Sequence, residues 1–181
     1  MVGGNTYAAV LRGVNVGGKN KLAMSGLREL LEELDCNDVA TYIQSGNAVF
    51  RSSLGVEAAA VAIEAGITER FGLAIRVLVR TPDDLAAIAA TNPFLGRDDL
   101  ARLHVVFLDA APKVAAVAAL DPERSPGDEF AVSGREIFVH YPNGSGRSKL
   151  TLDWFERQLG VAGTARNWNT LLKLQELAAA R

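Results

Sequence analysis

Three short polar segments contain the residues of this 181-residue chain that are best suited to bind an anion. They are residues 12–21 (RGVNVGGKNK), 142–152 (PNGSGRSKLTL) and 164–170 (TARNWNT), which together hold six Lys or Arg residues and no Asp or Glu. Outside them, 13 basic residues (19 minus 6) stand against 21 acidic ones. Because Lys and Arg neutralise an anion and glycine lets backbone N–H groups approach it, the segments predict an anion site.

Short hydroxyl and amide side chains would complete this site by orienting the ligand. The turn signal Ser45-Gly46-Asn47 adds two such residues. The candidate ligand-binding residues are Arg12, Asn15, Gly17, Gly18, Lys19, Asn20, Ser45, Asn47, Asn143, Arg147, Ser148, Lys149, Arg166, Asn167 and Asn169. No metal ligands are assigned, because one cysteine and two histidines are too few for a zinc cluster. Neither a catalytic residue nor a cofactor is assigned.

Residues 13–19 also have the GxxxxGK spacing of a phosphate-binding loop. The next residue is Asn20, where the motif needs the Ser or Thr that binds Mg²⁺. The predicted hairpins also oppose the parallel sheet in which such loops occur. An ATPase is therefore not favoured.

The composition is that of an ordinary globular protein, with 49% hydrophobic and 22% charged residues, a net charge of −2 and a pI of about 5.7. Anion binding would therefore be local, because a nucleic-acid-coating protein is normally basic overall. With no apolar run of about 18 residues and no secretory signal, we expect a cytoplasmic protein outside the membrane.

The elements that must position the polar segments follow from apolar runs and turn signals. Each half of the chain predicts a strand, a helix, a hairpin, a helix, a strand and a trailing helix, which is the order of a ferredoxin-like unit plus one helix. The fold class is α/β (α+β): two tandem ferredoxin-like units related by internal duplication, with antiparallel sheets and helices packed on one face. The predicted domains are residues 1–92, which include a Gly-rich loop insertion, and residues 100–181, which end in a C-terminal helix.

Three landmarks support the duplication, since they recur at one offset of 88 residues. They are the Ser45-Gly46 and Ser133-Gly134 turns with the Val49-Phe50 and Ile137-Phe138 pairs that follow, the helix-ending Gly72 and Gly160, and the predicted helix caps Thr81 and Asn169. Ser25 is predicted to cap the first helix. The predicted core residues are Leu30, Leu34, Val49, Phe50, Val77, Val106, Leu108, Phe138, Phe155 and Leu174.

The chain resembles the bacterial family known as domain of unknown function 1697. The resemblance lies in residues 11–22 (LRGVNVGGKNKL), 41–50 (TYIQSGNAVF), 92–94 (NPF), 104–108 (HVVFL), 141–151 (YPNGSGRSKLT) and 164–174 (TARNWNTLLKL). It implies duplicated ferredoxin-like units and no particular reaction. It also coincides with the three polar segments, and Asn20 belongs to the family pattern.

Three hypotheses for function follow from the segments. The first is binding of a phosphate- or nucleotide-type anion, by an enzyme or a sensor, with a phosphate-bearing small molecule as ligand. The second, not favoured, is a nucleic-acid-binding module. The third is a purely structural role for the loops. A concave cluster of cations would favour a small ligand, whereas an open basic surface would favour nucleic acid. We expect a monomer or a weak dimer.

Overall fold

The computed structural model describes residues 4–97 and 99–181. Within them the chain forms two four-stranded antiparallel sheets and six α-helices. Unit 1 comprises residues 4–87 and 173–181, and unit 2 comprises residues 88–172. These compact units do not follow the predicted domain ranges, 1–92 and 100–181, which stay a prediction.

Unit 1 has the strand and helix order predicted for a ferredoxin-like unit. Its elements are β1 (Asn5–Leu11), α1 (Met24–Glu33), β2 (Asn37–Thr41), β3 (Asn47–Ser52), α2 (Val56–Phe71) and β4 (Val77–Arg80). The helix that follows, α3 (Pro82–Thr91), begins in unit 1, and its residues from Ile88 onward are assigned to unit 2. The strands lie in the order β2-β3-β1-β4, and neighbouring strands are antiparallel. This confirms the predicted fold class for the first half.

One face of the unit 1 sheet packs against α1 and α2. The core between them contains Leu11 from β1, Phe50 from β3, Leu31 from α1 and Ile63 from α2, all almost completely buried. Gly72 ends α2 in the left-handed conformation (φ 66°), which glycine adopts without steric cost. Thr81 caps α3 as predicted, because its Oγ1 accepts a hydrogen bond from the Asp84 N–H (3.1 Å).

Unit 2 repeats this order. Its elements are β5 (Leu103–Leu108), α4 (Val114–Ala118), β6 (Glu129–Ser133), β7 (Glu136–His140), α5 (Leu152–Leu159) and β8 (Gly163–Asn167). The helix that follows, α6 (Trp168–Ala179), begins in unit 2, and its residues from Lys173 onward are assigned to unit 1. The strands lie in the order β6-β7-β5-β8, again antiparallel. Val106, Ile137, Val139 and Phe155 form the core with the helices. Gly160 ends α5 in the same left-handed conformation as Gly72 (φ 68°).

Equivalent backbone hydrogen bonds give the register between the two halves. The Leu11 N–H donates to the Gly46 carbonyl (2.9 Å), and the Leu108 N–H donates to the Arg135 carbonyl (2.8 Å). Their offsets are 97 residues for β1 and β5 (108 minus 11) and 89 for β3 and β7 (135 minus 46). The halves are therefore not related by one offset of 88 along their whole length.

The last strands have a third offset. The Arg12 N–H donates to the Arg76 carbonyl, and the Asp109 N–H donates to the Ala162 carbonyl, which gives 86 residues (162 minus 76). A carboxylate on the preceding helix supports each strand start. Glu64 Oε1 accepts a hydrogen bond from the Val77 N–H, and Glu156 Oε1 accepts one from the Gly163 N–H, both at 2.8 Å.

The proposed pairing of Phe50 with Phe138 is wrong by one residue. At an offset of 89, Phe50 corresponds to Val139, and both lie in the cores beside the helices. Phe138 lies on the opposite face of its sheet, where its ring contacts Trp168. A shift of one residue turns every side chain of a strand to the other face, so the shared turn signal misplaced the two aromatic residues.

Three further sequence predictions need correction. Helix α1 begins at Met24, so its N-cap is Ala23 and not Ser25. Leu34 follows the last residue of α1 and is only partly buried, whereas the other predicted core residues are buried. Helix α6 begins before Asn169, which therefore does not cap it.

Candidate functional site

The first polar segment forms a small hairpin, residues 12–21, named here the basic hairpin. The Asn15 N–H donates to the Asn20 carbonyl (3.1 Å), and the Lys19 N–H donates to the Val16 carbonyl (3.0 Å). Gly17 and Gly18, at its tip, have φ angles of 57° and 76°. Two positive φ angles in a row define a two-residue hairpin turn that favours glycine. The glycines are thus explained by the turn, and GxxxxGK here is not a phosphate-binding loop.

Asn15 fixes the basic hairpin to the rest of unit 1. Its Nδ2 donates to the carbonyls of Leu22 (2.8 Å) and Gln44 (2.7 Å), and its Oδ1 accepts from the Leu22 N–H (3.0 Å). Asn20 Nδ2 donates to the Gly13 carbonyl (3.0 Å). The two asparagine side chains therefore hold the loop in shape.

The connection between β2 and β3, residues 42–47, is the neighbour that Asn15 contacts. Asn47 is fully buried, and its Nδ2 donates to the Tyr42 carbonyl and to Ser45 Oγ, both at 3.0 Å. Gly46 has a φ of 81°, and a Cβ there would lie 2.9 Å from Leu11 Cβ. Asn47 thus stabilises the 42–47 turn, with Ser45 accepting one of its hydrogen bonds.

Two apolar side chains are exposed on these loops. Val16 is 63% exposed, and Ile43 is 49% exposed. Ile43 also has a φ of 49°, in the left-handed region that β-branched residues rarely adopt. Reasoning from sequence missed Ile43, because backbone strain leaves no signal in residue type or spacing.

The second polar segment begins at the end of β7 and is held by its own backbone. Tyr141 Oη donates to the Leu150 carbonyl (2.8 Å), and Ser148 Oγ accepts from the Leu150 N–H (3.0 Å). Burial raises the pKa of Tyr141 to about 12, and the negative charge of Asp128 contributes, so the hydroxyl stays a donor at neutral pH. Ser148 therefore has a structural role, whereas the side chains of Asn143, Arg147 and Lys149 are exposed.

The third polar segment is not a loop, because it forms β8 and the first turn of α6. Asn167 Oδ1 accepts from the Asn169 N–H (2.9 Å), so Asn167 supports the start of α6. Its Nδ2 donates to the Ala101 carbonyl (2.9 Å). Arg166 is buried, which lowers its pKa to about 10, and its Nη1 donates to Thr164 Oγ1 (2.8 Å). Arg166 is therefore a buried cation and not an exposed ligand residue.

Unit 1 contains an equivalent buried arginine that the sequence prediction missed. Arg80 is equivalent to Arg166 at the offset of 86 residues between β4 and β8. The two residues are 2% and 7% exposed. Arg80 pairs with Ala8 across the sheet, as Arg166 pairs with Val105. The Nη1 atom of each donates to the carbonyl of the preceding residue, Val79 or Ala165. The duplication therefore preserves a buried guanidinium, a signal that an offset of 86 would have revealed.

The structure brings some candidate residues together within each unit. In unit 1 the basic hairpin and the 42–47 turn meet where β1 ends. In unit 2, Leu103 and His104 at the start of β5 pair with His140 and Asn167, so the second segment leaves the sheet near the end of β8. These are opposite ends of equivalent sheets. One site shared by all three segments stays a prediction.

The exposed lysines of the basic hairpin are the cations most available to a ligand. Lys19 and Lys21 are exposed, and neither forms an ion pair with any residue in 4–97 or 99–181. Arg12 differs, since it is half-buried and has an interaction partner within the protein. At the tip, a Cβ on Gly17 or Gly18 would meet no atom within 4 Å, so the tip projects into solvent.

Within the same described ranges, no group of three or more His, Cys, Asp or Glu side chains is placed to hold a metal ion. Cys36 is a buried free thiol, and burial raises its pKa, which disfavours the reactive thiolate. Of the helices in this part of the chain, none has the length and apolar character needed to cross a membrane.

Two βαββαβ units with the same sheet order define the protein as a duplicated ferredoxin-like α/β protein. The family model described as "Protein of unknown function (DUF1697)" matches residues 5–138. The chain belongs to this family, as its resemblance in the polar segments predicts.

A solved structure, that of the conserved bacterial protein SP0830 from Streptococcus pneumoniae, has the same overall fold. Its TM-score is 0.77 at 25% sequence identity, and the match covers 97% of this chain and 99% of that one. No curated protein matches the sequence.

Proposed function

We propose that this protein binds a phosphate-bearing anion at the basic hairpin and the 42–47 turn. The observation that supports this proposal most is the exposure of Lys19 and Lys21 on a hairpin held by three Asn15 hydrogen bonds. A loop fixed before binding loses little conformational entropy when a ligand arrives. The backbone that carries the two lysines is thus fixed before a ligand binds.

The local charge supports an anionic ligand. Residues 12–21 and 42–47 contain Arg12, Lys19 and Lys21 and no acidic residue. No group in the described chain accepts a hydrogen bond from the N–H of Gly17 or Gly18, so these donors face solvent beside the lysines. Phosphate oxygens are suitable acceptors for both kinds of donor. Because the cations are exposed, salt should weaken the binding.

The second polar segment of unit 2 offers a further set of exposed groups, Asn143, Arg147 and Lys149. The proposal includes them as ligand contacts in their own right. Asn15, Asn20, Asn47, Ser148 and Asn167 are instead proposed to shape the loops, because their side chains hydrogen-bond within the protein. Arg147→Ala tests whether the unit 2 loop takes part.

Nucleic acid is the second candidate ligand, and the open shape of the basic hairpin favours it. Gly17 and Gly18 project into solvent, and Lys19 lies exposed beside them. Small-molecule sites are normally concave and enclose most of their ligand, whereas a phosphodiester backbone can lie along an exposed basic surface. The size of the ligand is therefore a variable in the test.

Thermal unfolding and titration calorimetry at low salt test the proposal, with phosphate, tripolyphosphate, ATP and a short oligonucleotide as ligands. A ligand at one hundred times its Kd should add about 2.7 kcal/mol to the free energy of unfolding. Replacing both Lys19 and Lys21 by Ala should weaken binding about a hundredfold, since each charged hydrogen bond contributes about 1.5 kcal/mol or more. Lys113→Ala, at another exposed lysine, is the control and should change nothing.

If none of these anions stabilises the protein, or if the double lysine variant binds them unchanged, the proposal is wrong. A purely structural role for the loops then becomes the better explanation. The proposal includes a cytoplasmic location and a monomeric or weakly dimeric state. Sedimentation with and without oligonucleotide tests the second of these.

A further inference from the structure

Ile43 is a β-branched residue in a left-handed backbone conformation. Its φ is 49°, where the Cβ of isoleucine crowds the backbone and glycine or asparagine fits more easily. Its side chain is 49% exposed, so core packing does not compensate for this strain. Strain held at an exposed position points to a contact made with a ligand.

Val16 provides a second exposed apolar group at the same end of unit 1. Asn15 Nδ2 donates to the Gln44 carbonyl (2.7 Å), and Val16 and Ile43 are the chain neighbours of these two bonded residues. Gln44 itself is exposed and presents a side-chain amide. The two loops thus present exposed apolar, amide and ammonium groups at the same end of unit 1, with Lys19 paired to Val16 across the basic hairpin.

We infer that Ile43 and Val16 contact an unpaired base of a single-stranded nucleic acid whose phosphates bind Lys19 and Lys21. This inference rests on the proposed function and names its ligand class. Apolar side chains pack against the faces of bases that are free of a duplex, and an amide can hydrogen-bond to base edges. Inorganic phosphate has no apolar part, so it would leave Ile43 and Val16 unused.

An acidic protein is the other polyanion that this surface could meet. A stable protein interface buries about 800 Å² on each partner, usually with 20 to 30 residues a side. Two exposed aliphatic side chains at loop tips supply much less apolar area than this. A nucleotide is closer in size to the patch, and its repeating phosphates match a surface whose exposed charges are cations.

Fluorescence anisotropy with a labelled single-stranded oligonucleotide tests the inference, using tripolyphosphate, a fully paired duplex and poly-glutamate as competitors. Ile43→Gly removes the side chain and the strain together. We expect it to raise Tm and to weaken oligonucleotide binding about fivefold or more, with tripolyphosphate binding unchanged. Ile43→Asn, which also tolerates a positive φ, should behave alike. Val114→Ala, at an exposed valine in α4, is the control and should bind normally.

The inference is overturned if Ile43→Gly and Ile43→Asn bind the oligonucleotide as tightly as the unmodified protein. It is also overturned if poly-glutamate competes best and loses affinity in these variants, because the partner is then an acidic protein. Failure of the proposed function has a different signature, namely unchanged binding of every anion in the double Lys19→Ala, Lys21→Ala variant.

Discussion

Units 1 and 2 have the same sheet order but differ most where the first strand of each passes to the first helix. In unit 1, residues 12–23 make this connection and contain the basic hairpin, whereas in unit 2 residues 109–113 suffice. The shorter connection still yields a complete four-stranded sheet with a buried core. A ferredoxin-like unit therefore does not require the basic hairpin, although in unit 1 its Val14 is part of the buried core.

Other features are the same in both units and belong to the fold. Each last strand holds a buried arginine, Arg80 or Arg166, and each begins with an N–H that donates to a glutamate, Glu64 or Glu156. Buried guanidinium groups and strand-capping carboxylates can thus be structural even though their residue types suggest chemistry. The comparison separates residues kept in both units from residues found in one.

The largest expected effect comes from the core position that differs in size between the units. Phe50→Ala should lower the free energy of unfolding by about 3–5 kcal/mol, because it empties a fully buried ring site. Val139→Ala, at the equivalent position, should cost about 2 kcal/mol, because fewer methylene groups are lost. Urea unfolding measures both. Equal losses would argue against the 89-residue register that makes these positions equivalent.

The connection present only in unit 1 gives the second effect. Asn15→Ala removes three hydrogen bonds and places alanine at a φ of 55°, so it should destabilise the protein by about 3 kcal/mol. Asn20→Ala, which removes one hydrogen bond at a φ of 48°, should cost clearly less. Denaturant midpoints compare the two variants. If Asn15→Ala costs no more than Asn20→Ala, Asn15 does not hold the hairpin.

A pH effect specific to unit 2 is the smallest of the three. Tyr141 has a folded pKa of about 12, above the value of about 10 in an unfolded chain. The folded state therefore holds this proton more tightly, and the resulting stability is complete below pH 10 and lost as the pH rises towards 12. The loss should reach about 2.7 kcal/mol more than in Tyr141→Phe, because each unit of pKa difference corresponds to about 1.36 kcal/mol. Urea melts between about pH 9 and pH 12 measure this difference, and parallel curves would contradict it.

Most of the element order was predictable, because apolar runs and helix-ending glycines are local signals. Gly72 and Gly160 mark the ends of α2 and α5 as expected. Strand β8 was predicted from the repeated element order and not from its own residues, since GTARN lacks an apolar pattern and is held in the sheet by pairing with β5. Because β8 ends at Asn167 and α6 begins at the next residue, the helix starts before Asn169, its predicted cap. Such misses arise where tertiary pairing outweighs local propensity.

The candidate site was less predictable, because residue type does not reveal what a side chain contacts. Asn15 and Gln44 are 29 residues apart in sequence. Because Asn15 hydrogen-bonds to Gln44, this candidate ligand residue holds the two loops together. Arg166 is buried although its segment is polar, whereas Lys19 is exposed as expected. Exposure and hydrogen-bond partners come from long-range packing, which one sequence does not specify.

The unequal offsets of 97, 89 and 86 residues have a consequence for protein engineering. A symmetric chain built from two copies of one half, or a graft of β7 in place of β3, would have to be cut separately at each strand. A single cut at 88 would bring Phe138 to the position of Phe50 and turn the grafted strand over, with its core residues outward. Equivalent strands of the two units could thus be exchanged one at a time, but only between the boundaries that their backbone hydrogen bonds define.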